Sequence, residues 1–508
     1  MWGERSVPSH KVLPIIDLII TSGHNNNVSE TMYFGKPMIV MPVWLDQLDA
    51  AQRVAEKGLG VRLNPYECSE NELLDSIDSV LNDKILAQKL AKGQVHGSVG
   101  MAEILRDTGR YNCVFAVNGV WKALLESKGF DVKLMESVDF NDAIKDSLDS
   151  SLMDPKNTKT FAKSLEPTSR INTLFLKYFI REAKETDPYV KTIIEDLKPD
   201  LIISDHFINY PSIVKSGIPW IFSWNDSALS LDLGYPDKRL PPSYLGLPTN
   251  TEREMKEKYR QQLWERNIDL WYKYRDELMA IGCPPLYEFQ YWSPSPYANF
   301  YLAPKELDYT DIRPLPDTFH GFDCFKRSGS EDTLEIPDNL KNRSGKLIFL
   351  SFDMFVSRDV ELMKRLVAIL SKSKHRFIVS KGLKHNEYEL ADNMWGEISV
   401  SPHKVLPIID LIITSGHNNH VSETMYFGKP MIVMPVWFDQ LDTAQRVVEK
   451  GLGVRLNPYE CSENELLDSI DSVLNDKILA QKLAKVSQRV QSEGNSEKLV
   501  KIVNKLIK

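Results

Sequence analysis

The heptapeptide Thr414-Ser415-Gly416-His417-Asn418-Asn419-His420 follows the apolar run "LPIIDLII" and leads into "VSETMYFG". A polar loop running from a buried strand into a helix presents free backbone N–H groups at the helix start, the usual physical basis for gripping a phosphate. Glu423 lies within the helix that follows. Eight residues beyond it begins a second apolar run, "MIVMPVWF", which ends on Asp439 and Gln440. A diphosphate held at the loop, with vicinal hydroxyls held by carboxylates at Glu423 and Asp439 and the amide of Gln440 beside them, is a sensible way to hold a nucleotide sugar. The sequence shows no cluster of residues with metal-ligand spacing.

Apolar strands must position these residues, and the sequence supplies them in alternation with helices. Toward the C-terminus "KLIFLSF", "RFIVS", "LIIT", "MIVMP" and "GVRL" read as strands, and "DVELMKRLVAILSKS", "HVSETMYFG" and "LDTAQRVVEKG" as helices. The Ser462-x-x-Glu465 pattern is a capping box that starts another helix. The middle of the chain repeats the scheme with "CVFAV", "DVKLM", "PDLIISD", "GIPWIFSW" and "NFYLAP" as strands. Apolar strands separated by helices of this length predict parallel sheets covered on both faces. The expected fold class is therefore α/β: two Rossmann-like, doubly wound domains facing each other across a cleft, with ligands at the carboxyl ends of the strands. The domain reading is 93–304 for the first, 344–508 for the second, and 305–343, rich in Pro, Gly and charge, for an interdomain linker.

Residues 1–92 are a copy of residues 394–485. The two align without gaps and differ at seven positions: Arg5/Ile398, Pro8/Ser401, Ser9/Pro402, Asn27/His420, Leu45/Phe438, Ala50/Thr443 and Ala55/Val448. Such closeness indicates a recent duplication, not a solenoid of short repeats. The copy diverges abruptly at Gly93, and Met1 aligns with Met394, as if the tail of one unit were joined to the body of a tandem neighbour, by a true fusion or by a joined gene model. Residues 1–92 hold three strands without the partners that "KLIFLSF" and "RFIVS" provide, so a partial Rossmann-like copy with an exposed sheet edge is expected.

Composition narrows the function classes. With 42% hydrophobic and 26% charged residues over 508 positions the chain is an ordinary globular one, long enough for two or three domains. A net charge of −8 argues against nucleic acid or an anionic membrane as the main partner. Five cysteines, odd in number and without CxxC spacing, favour free thiols in a reducing compartment. No run reaches the roughly 18 apolar residues of a membrane span, and the N-terminal "MWGERSVPSHK" has no apolar core of a signal peptide. A soluble, cytoplasmic protein is expected; the sequence does not set its oligomeric state.

The run from "WGEISVSPHK" through "TSGHNNHVSETMYFGKPMIVMPVWFDQLD" to "GVRL" resembles the donor-binding signature of the UDP-sugar glycosyltransferases of the GT-B fold, approximately W-x-P-Q, T-H-G-G-x-N-S-x-x-E and P-x-x-x-D-Q. "GQVHGSVGMAEILRDTGR" resembles the opening of that family's acceptor domain. The resemblance spans residues 93–508, and the first copy repeats part of it. It implies inverting transfer of a hexosyl group from a UDP-sugar, as donor substrate and without a cofactor, to a small lipophilic acceptor. A histidine oriented by an aspartate deprotonates the acceptor hydroxyl.

Carried over by position, the aspartate partner falls on Asp205, the ribose carboxylate on Glu423 and the sugar-hydroxyl pair on Asp439 and Gln440. The catalytic histidine falls on Gln94, which has no titratable group near neutral pH, and His96 lies two residues on. The UDP-sugar loop falls on Ser415, Gly416, His417, Asn418, Asn419 and His420, with Ser415 in place of the phosphate-facing histidine and His417 in place of the second glycine. The aromatic that stacks on uracil falls on Ser399, and "SFDMFVS", residues 351–357, lacks the glycine common there. Two readings follow: an active transferase, or a degenerate relative that binds a nucleotide, lipophile or protein partner without catalysis. The bland alternatives are a strand-end acid at 205, exposed loop histidines at 417 and 420, and helix-surface acids at 423 and 439. A joined copy that never folds is the third possibility.

Overall fold

The computed structural model describes residues 12–13, 16, 18–24, 27–28, 31, 36–43, 46–56, 60–82, 96–135, 165–206, 208–233, 237–283, 285–288, 290–325, 334–353, 356–382 and 384–507. The chain divides into two compact units, one of residues 1–138 with 184–198 and one of residues 139–183 with 199–508.

The first unit holds two small parallel sheets. Strands β1 (Ile19–Thr21), β2 (Met38–Val40) and β3 (Gly60–Arg62) form one in the order β1-β2-β3, with helices α1 (Asp46–Glu56) and α2 (Glu70–Asn82). Met38, Ile39 and Val40 are buried with Ala51 and Val54 of α1 and Val80 of α2 in a core of its own. Helix α3 (His96–Asp107) is followed by β4 (Val114–Val117), α4 (Lys122–Ser127) and β5 (Asp131–Leu134), with β4 and β5 paired in parallel. Val99 and Ala102 of α3 pack with Leu125 and Phe130, an αβαβ layer whose apolar spacing the sequence shows. A long helix, α5 (Leu165–Leu197), is divided between the units, residues 184–197 falling in the first and 165–183 in the second.

The second unit carries the larger sheets. Strands β6 (Ile202–Ser204), β7 (Trp220–Trp224), β8 (Ala298–Leu302) and β9 (Phe319–Phe322) form a four-stranded parallel sheet in that order, with α6 (Arg253–Ala280) between β7 and β8 in sequence. Strands β10 (Leu347–Ser351), β11 (Arg376–Ser380), β12 (Met394–Glu397), β13 (Leu411–Thr414), β14 (Met431–Val433) and β15 (Val454–Arg455) form a six-stranded parallel sheet, ordered β12-β11-β10-β13-β14-β15. Counted from β10 that is 3-2-1-4-5-6, the doubly wound order whose direction reverses between β10 and β13. Its helices are α7 (Val360–Leu370), α8 (Asn418–Tyr426), α9 (Asp439–Glu449), α10 (Glu463–Asn475), α11 (Lys477–Ser492) and α12 (Asn495–Leu506). Every residue of β10, β13 and β14 is buried, as continuous apolar runs in a sheet covered on both faces require. The capping box closes as its spacing predicts: Ser462 Oγ accepts from Glu465 N at 3.1 Å, and Glu465 Oε2 accepts from Ser462 N at 3.3 Å.

Two features depart from the sequence reading. β9 lies inside the stretch read as linker, because Phe322, fully buried, packs edge-on against Phe300 of β8 at 4.9 Å and draws that segment into the sheet. The strands between residues 93 and 322 form two sheets, β4-β5 and β6-β7-β8-β9, rather than one. The sequence places helix-like residues, "SVLNDKILAQKLAK", where the central strand joining two such sheets belongs.

Candidate functional site

Ser415 and Asp353 leave the carboxyl ends of β13 and β10, the two strands between which the sheet order reverses. Gly416 makes the turn at φ +93, and a Cβ there would sit 2.5 Å from Val433 Cγ1, so neither backbone nor space admits a side chain. Its N–H donates to Thr414 Oγ1 at 3.3 Å. α8 then begins with His417 as its N-cap, and no side chain caps it. The backbone N–H of Asn418 donates instead to the carboxyl of Asp439.

The predicted loop residues divide by what they touch. Ser415 is fully buried, and its hydroxyl donates to Asp353 Oδ2 at 3.0 Å. The Asn418 amide donates to the carbonyls of Leu302 at 2.5 Å and Asn225 at 3.2 Å, tying α8 to the ends of β8 and β7. His417 and His420, half-buried, stand one helical turn apart with ring centroids 6.3 Å from each other. Asn419 and Glu423 are half-buried on the same helix. Ser399 is exposed just beyond edge strand β12, a small polar group where the resemblance places a stacking aromatic.

Asp439 and Gln440 enter from α9. Phe438, the N-cap of that helix, holds φ +49, a costly conformation for a residue with a side chain. Gln440 is 2% exposed; its Oε1 accepts from Val436 N at 3.1 Å, and its Nε2 donates to Asp353 Oδ2 at 2.7 Å. Asp439 shares a hydrogen bond with Asp226, at the carboxyl end of β7. Burial first, and then the neighbouring Asp226 and Asp442 carboxylates, push the Asp439 carboxyl well above the usual range. One Asp439 oxygen is buried without a hydrogen-bond partner, which leaves an acceptor for a ligand hydroxyl.

One further carboxylate anchors this helix. Asp442, 1% exposed, accepts from Tyr244 N at 2.6 Å and Gly246 N at 2.9 Å, and burial pushes its pKa up to about 7. Gly246 is required there: at φ +58 its Cβ would lie 2.8 Å from Leu441 O. The segment 244–249, which also bonds Glu449 through Thr249 at 2.7 Å, therefore straps the β6–β9 half onto α9.

Asp205 follows β6 and accepts from the Asn225 amide. Its neighbour His206 lies 3.5 Å from the fully buried Glu182, and its Nδ1 accepts from Ile208 N at 3.4 Å, so both ring nitrogens serve the fold. Burial lowers the His206 pKa, with Glu182 opposing the shift. His96 is the first residue of α3 in the first unit, and Gln94 lies outside the described residues. Among the described residues no group of His, Cys, Asp and Glu is arranged to hold a metal ion, no helix is long and apolar enough to cross a membrane, and all five cysteines are free. A recess lined by Asn209, Trp220, Leu278, Cys283 and Tyr297 sits at the amino ends of β7 and β8, away from the loops that carry Asp205 and Asp226.

Sequence reasoning missed Asp226, Asp353 and Asp442. Asp226 carries a strand-end signal, "WIFSWND", that equals the one that marked Asp205. Asp353 carries it too, in "KLIFLSFD", whereas Asp442 carries none, its partner Tyr244 lying 198 residues away.

A parallel six-stranded sheet of this order, with a strand–glycine loop–helix at its switch point and a second parallel sheet strapped to it, defines the GT-B class. Solved structures agree: the glycotransferase of kitacinnamycin matches with TM-score 0.60 at 16% identity, over 82% of this chain and 96% of that one. The profile of the UDP-glucoronosyl and UDP-glucosyl transferase family matches twice, at residues 7–96 and 405–492, once on each copy. Among curated relatives, the uncharacterized UDP-glucosyltransferase YojK of Bacillus subtilis is 25% identical over 37% of this chain, which spans 47% of that protein's length. NDP-glycosyltransferase YjiC of the same organism is 24% identical over 63% of this chain and 76% of its own. Both copies of the repeated segment thus resemble the UDP-glucoronosyl and UDP-glucosyl transferase family, on a fold shared with solved glycosyltransferases.

Proposed function

We propose that this chain transfers a hexosyl group, with inversion, from a UDP-sugar to hydroxyl groups of small lipophilic acceptors. The observation that carries the reading is the switch-point loop of residues 414–417, with its glycine turn at Gly416 and with α8 and α9 bringing Glu423 and Asp439 from either side. In this reading the loop and the start of α8 hold the diphosphate, Glu423 the ribose, and the free oxygen of Asp439 a sugar hydroxyl. The acceptor oxygen forms its bond to the anomeric carbon as the bond to the diphosphate oxygen breaks; UDP leaves as an anion and the acceptor proton passes to a base. His96 is the group proposed for that proton, because glutamine at 94 cannot take it. The nucleotide sugar is substrate; no resident cofactor is assigned, and a cytoplasmic location is part of the same proposal.

Turnover of radiolabelled UDP-glucose, or another UDP-hexose, across a panel of phenols tests it. Product and UDP formation with at least one pair is expected; UDP binding without release for any acceptor would establish the non-catalytic reading instead. Gln94→His adds a titratable group where the resemblance places the base; turnover within about twofold of wild type is expected if His96 carries the proton, and a gain of about 10²-fold, the ordinary worth of a positioned base, would show that it does not.

A further inference from the structure

We infer that Asp353 is a specificity-determining residue of the nucleotide loop: its carboxylate sets the loop's charge against the diphosphate, so that the nucleoside and sugar carry most of the affinity. The inference rests on the donor-site reading above. Asp353 stands in "SFDMFVS", the stretch that lacks a glycine, where a side chain would otherwise be absent. It follows β10 at the switch point, where a doubly wound sheet turns its loops toward a ligand. Its Oδ2 accepts from both Ser415 Oγ at 3.0 Å and Gln440 Nε2 at 2.7 Å, and its Oδ1 from Val356 N at 3.0 Å. The two side chains nearest the turn are thus oriented by Asp353, and Ser415 stands where the resemblance places a histidine.

The N-terminal copy supplies a control within the same molecule. It carries the same turn, residues 21–24, and aligns with residues 394–485, a span that does not include Asp353. There Gln47, the equivalent of Gln440, keeps its Oε1 on Val43 N at 3.0 Å but points its Nε2 at His24 Nε2, 3.0 Å away. In the C-terminal copy the glutamine amide goes to Asp353 instead of His417. The aspartate therefore decides which partner the loop glutamine takes, and puts a carboxylate where the other copy uses an imidazole.

Calorimetry on the full chain with UDP and with uridine separates charge from shape. Asp353→Asn removes the charge and keeps an acceptor for Gln440; UDP affinity should rise about tenfold while uridine affinity stays within about twofold, and added salt should narrow the UDP difference. Asp353→Gly removes the acceptor as well, and should show the same gain in the UDP-to-uridine ratio with a lower melting temperature. An unchanged ratio in both variants, with uridine still bound, overturns this inference and leaves the donor-site reading standing. Failure of wild type and variants to bind either ligand overturns the donor-site reading and this inference with it.

Discussion

The two copies of one 92-residue sequence are an experiment in what neighbours do to identical letters. Their local geometry is the same. β1, β2 and β3 pair in parallel as β13, β14 and β15 do, with Thr21 opposite Val40 and Thr414 opposite Val433. The turn glycines sit at φ +91 and +93, each with a valine methyl 2.5 Å from the missing Cβ. Ser69 and Ser462 each cap their helix at 3.1 Å. Burial differs sharply. Ile413 is fully buried because β10 pairs with β13, while its twin Ile20, on β1 at the edge of the sheet among the described residues, is 47% exposed. Leu441 and Val436 are buried, whereas Leu48 and Val43 are 43% and 50% exposed. Asp442 holds two backbone N–H groups of the strap; Asp49 is exposed. The lesson is that the strand–loop–helix unit is set locally, and that its burial needs the strand beside it.

Paired substitutions break or sharpen this comparison. The largest difference is expected for the isoleucines: Ile413→Ala should destabilise the second unit by about 3–4 kcal/mol, a buried large-to-small change, and Ile20→Ala its own unit by about 0.5 kcal/mol or less. Chemical denaturation followed by hydrogen exchange in each unit reads both, and equal costs would refute the claim that β10 makes the difference. Next come the turn glycines. Gly416→Ala and Gly23→Ala should each cost about 2–3 kcal/mol where they stand, because backbone and space are the same. Nucleotide binding by calorimetry should respond to Gly416→Ala only.

The smallest effect, about 1–2 kcal/mol, is expected for Asp442→Asn, which weakens acceptance from Tyr244 and Gly246. It carries a pH signature. The folded pKa of Asp442, about 7, lies above the ordinary aspartate value, so its stabilising contribution is full below about pH 4 and is lost as pH rises through 7. The penalty of Asp442→Asn should therefore shrink between pH 5 and pH 8 on this sign alone. Melting curves across that range check it, with Asp49→Asn as the exposed reference; a penalty that grows with pH would mean the buried carboxylate is held by its charge.

Much of the site was legible because its parts are local. The apolar runs located β10 through β15, the glycine located the turn, and Ser462 with Glu465 located a helix start; each is fixed by dihedral preference or by a bond within a few residues. The resemblance pointed to Asp439 and Gln440, which the fold buries at the start of α9. β9 was hidden in a Pro- and charge-rich stretch, because only contact with Phe300 makes Phe322 a strand residue.

By itself, then, the sequence determined the alternation of strands and helices, the duplicated unit and the glycine turn that recurs in both copies with nearly the same φ. Only the tertiary structure decided that Gln440 answers to Asp353 while Gln47 answers to His24, that burial beside Asp226 pushes the Asp439 carboxyl up, and that Asp442 fastens the strap. The reason is range. Torsional preferences and caps act over a few residues and travel with the copied segment, whereas desolvation and side-chain pairing depend on groups brought in from distant parts of the chain, which the copy left behind.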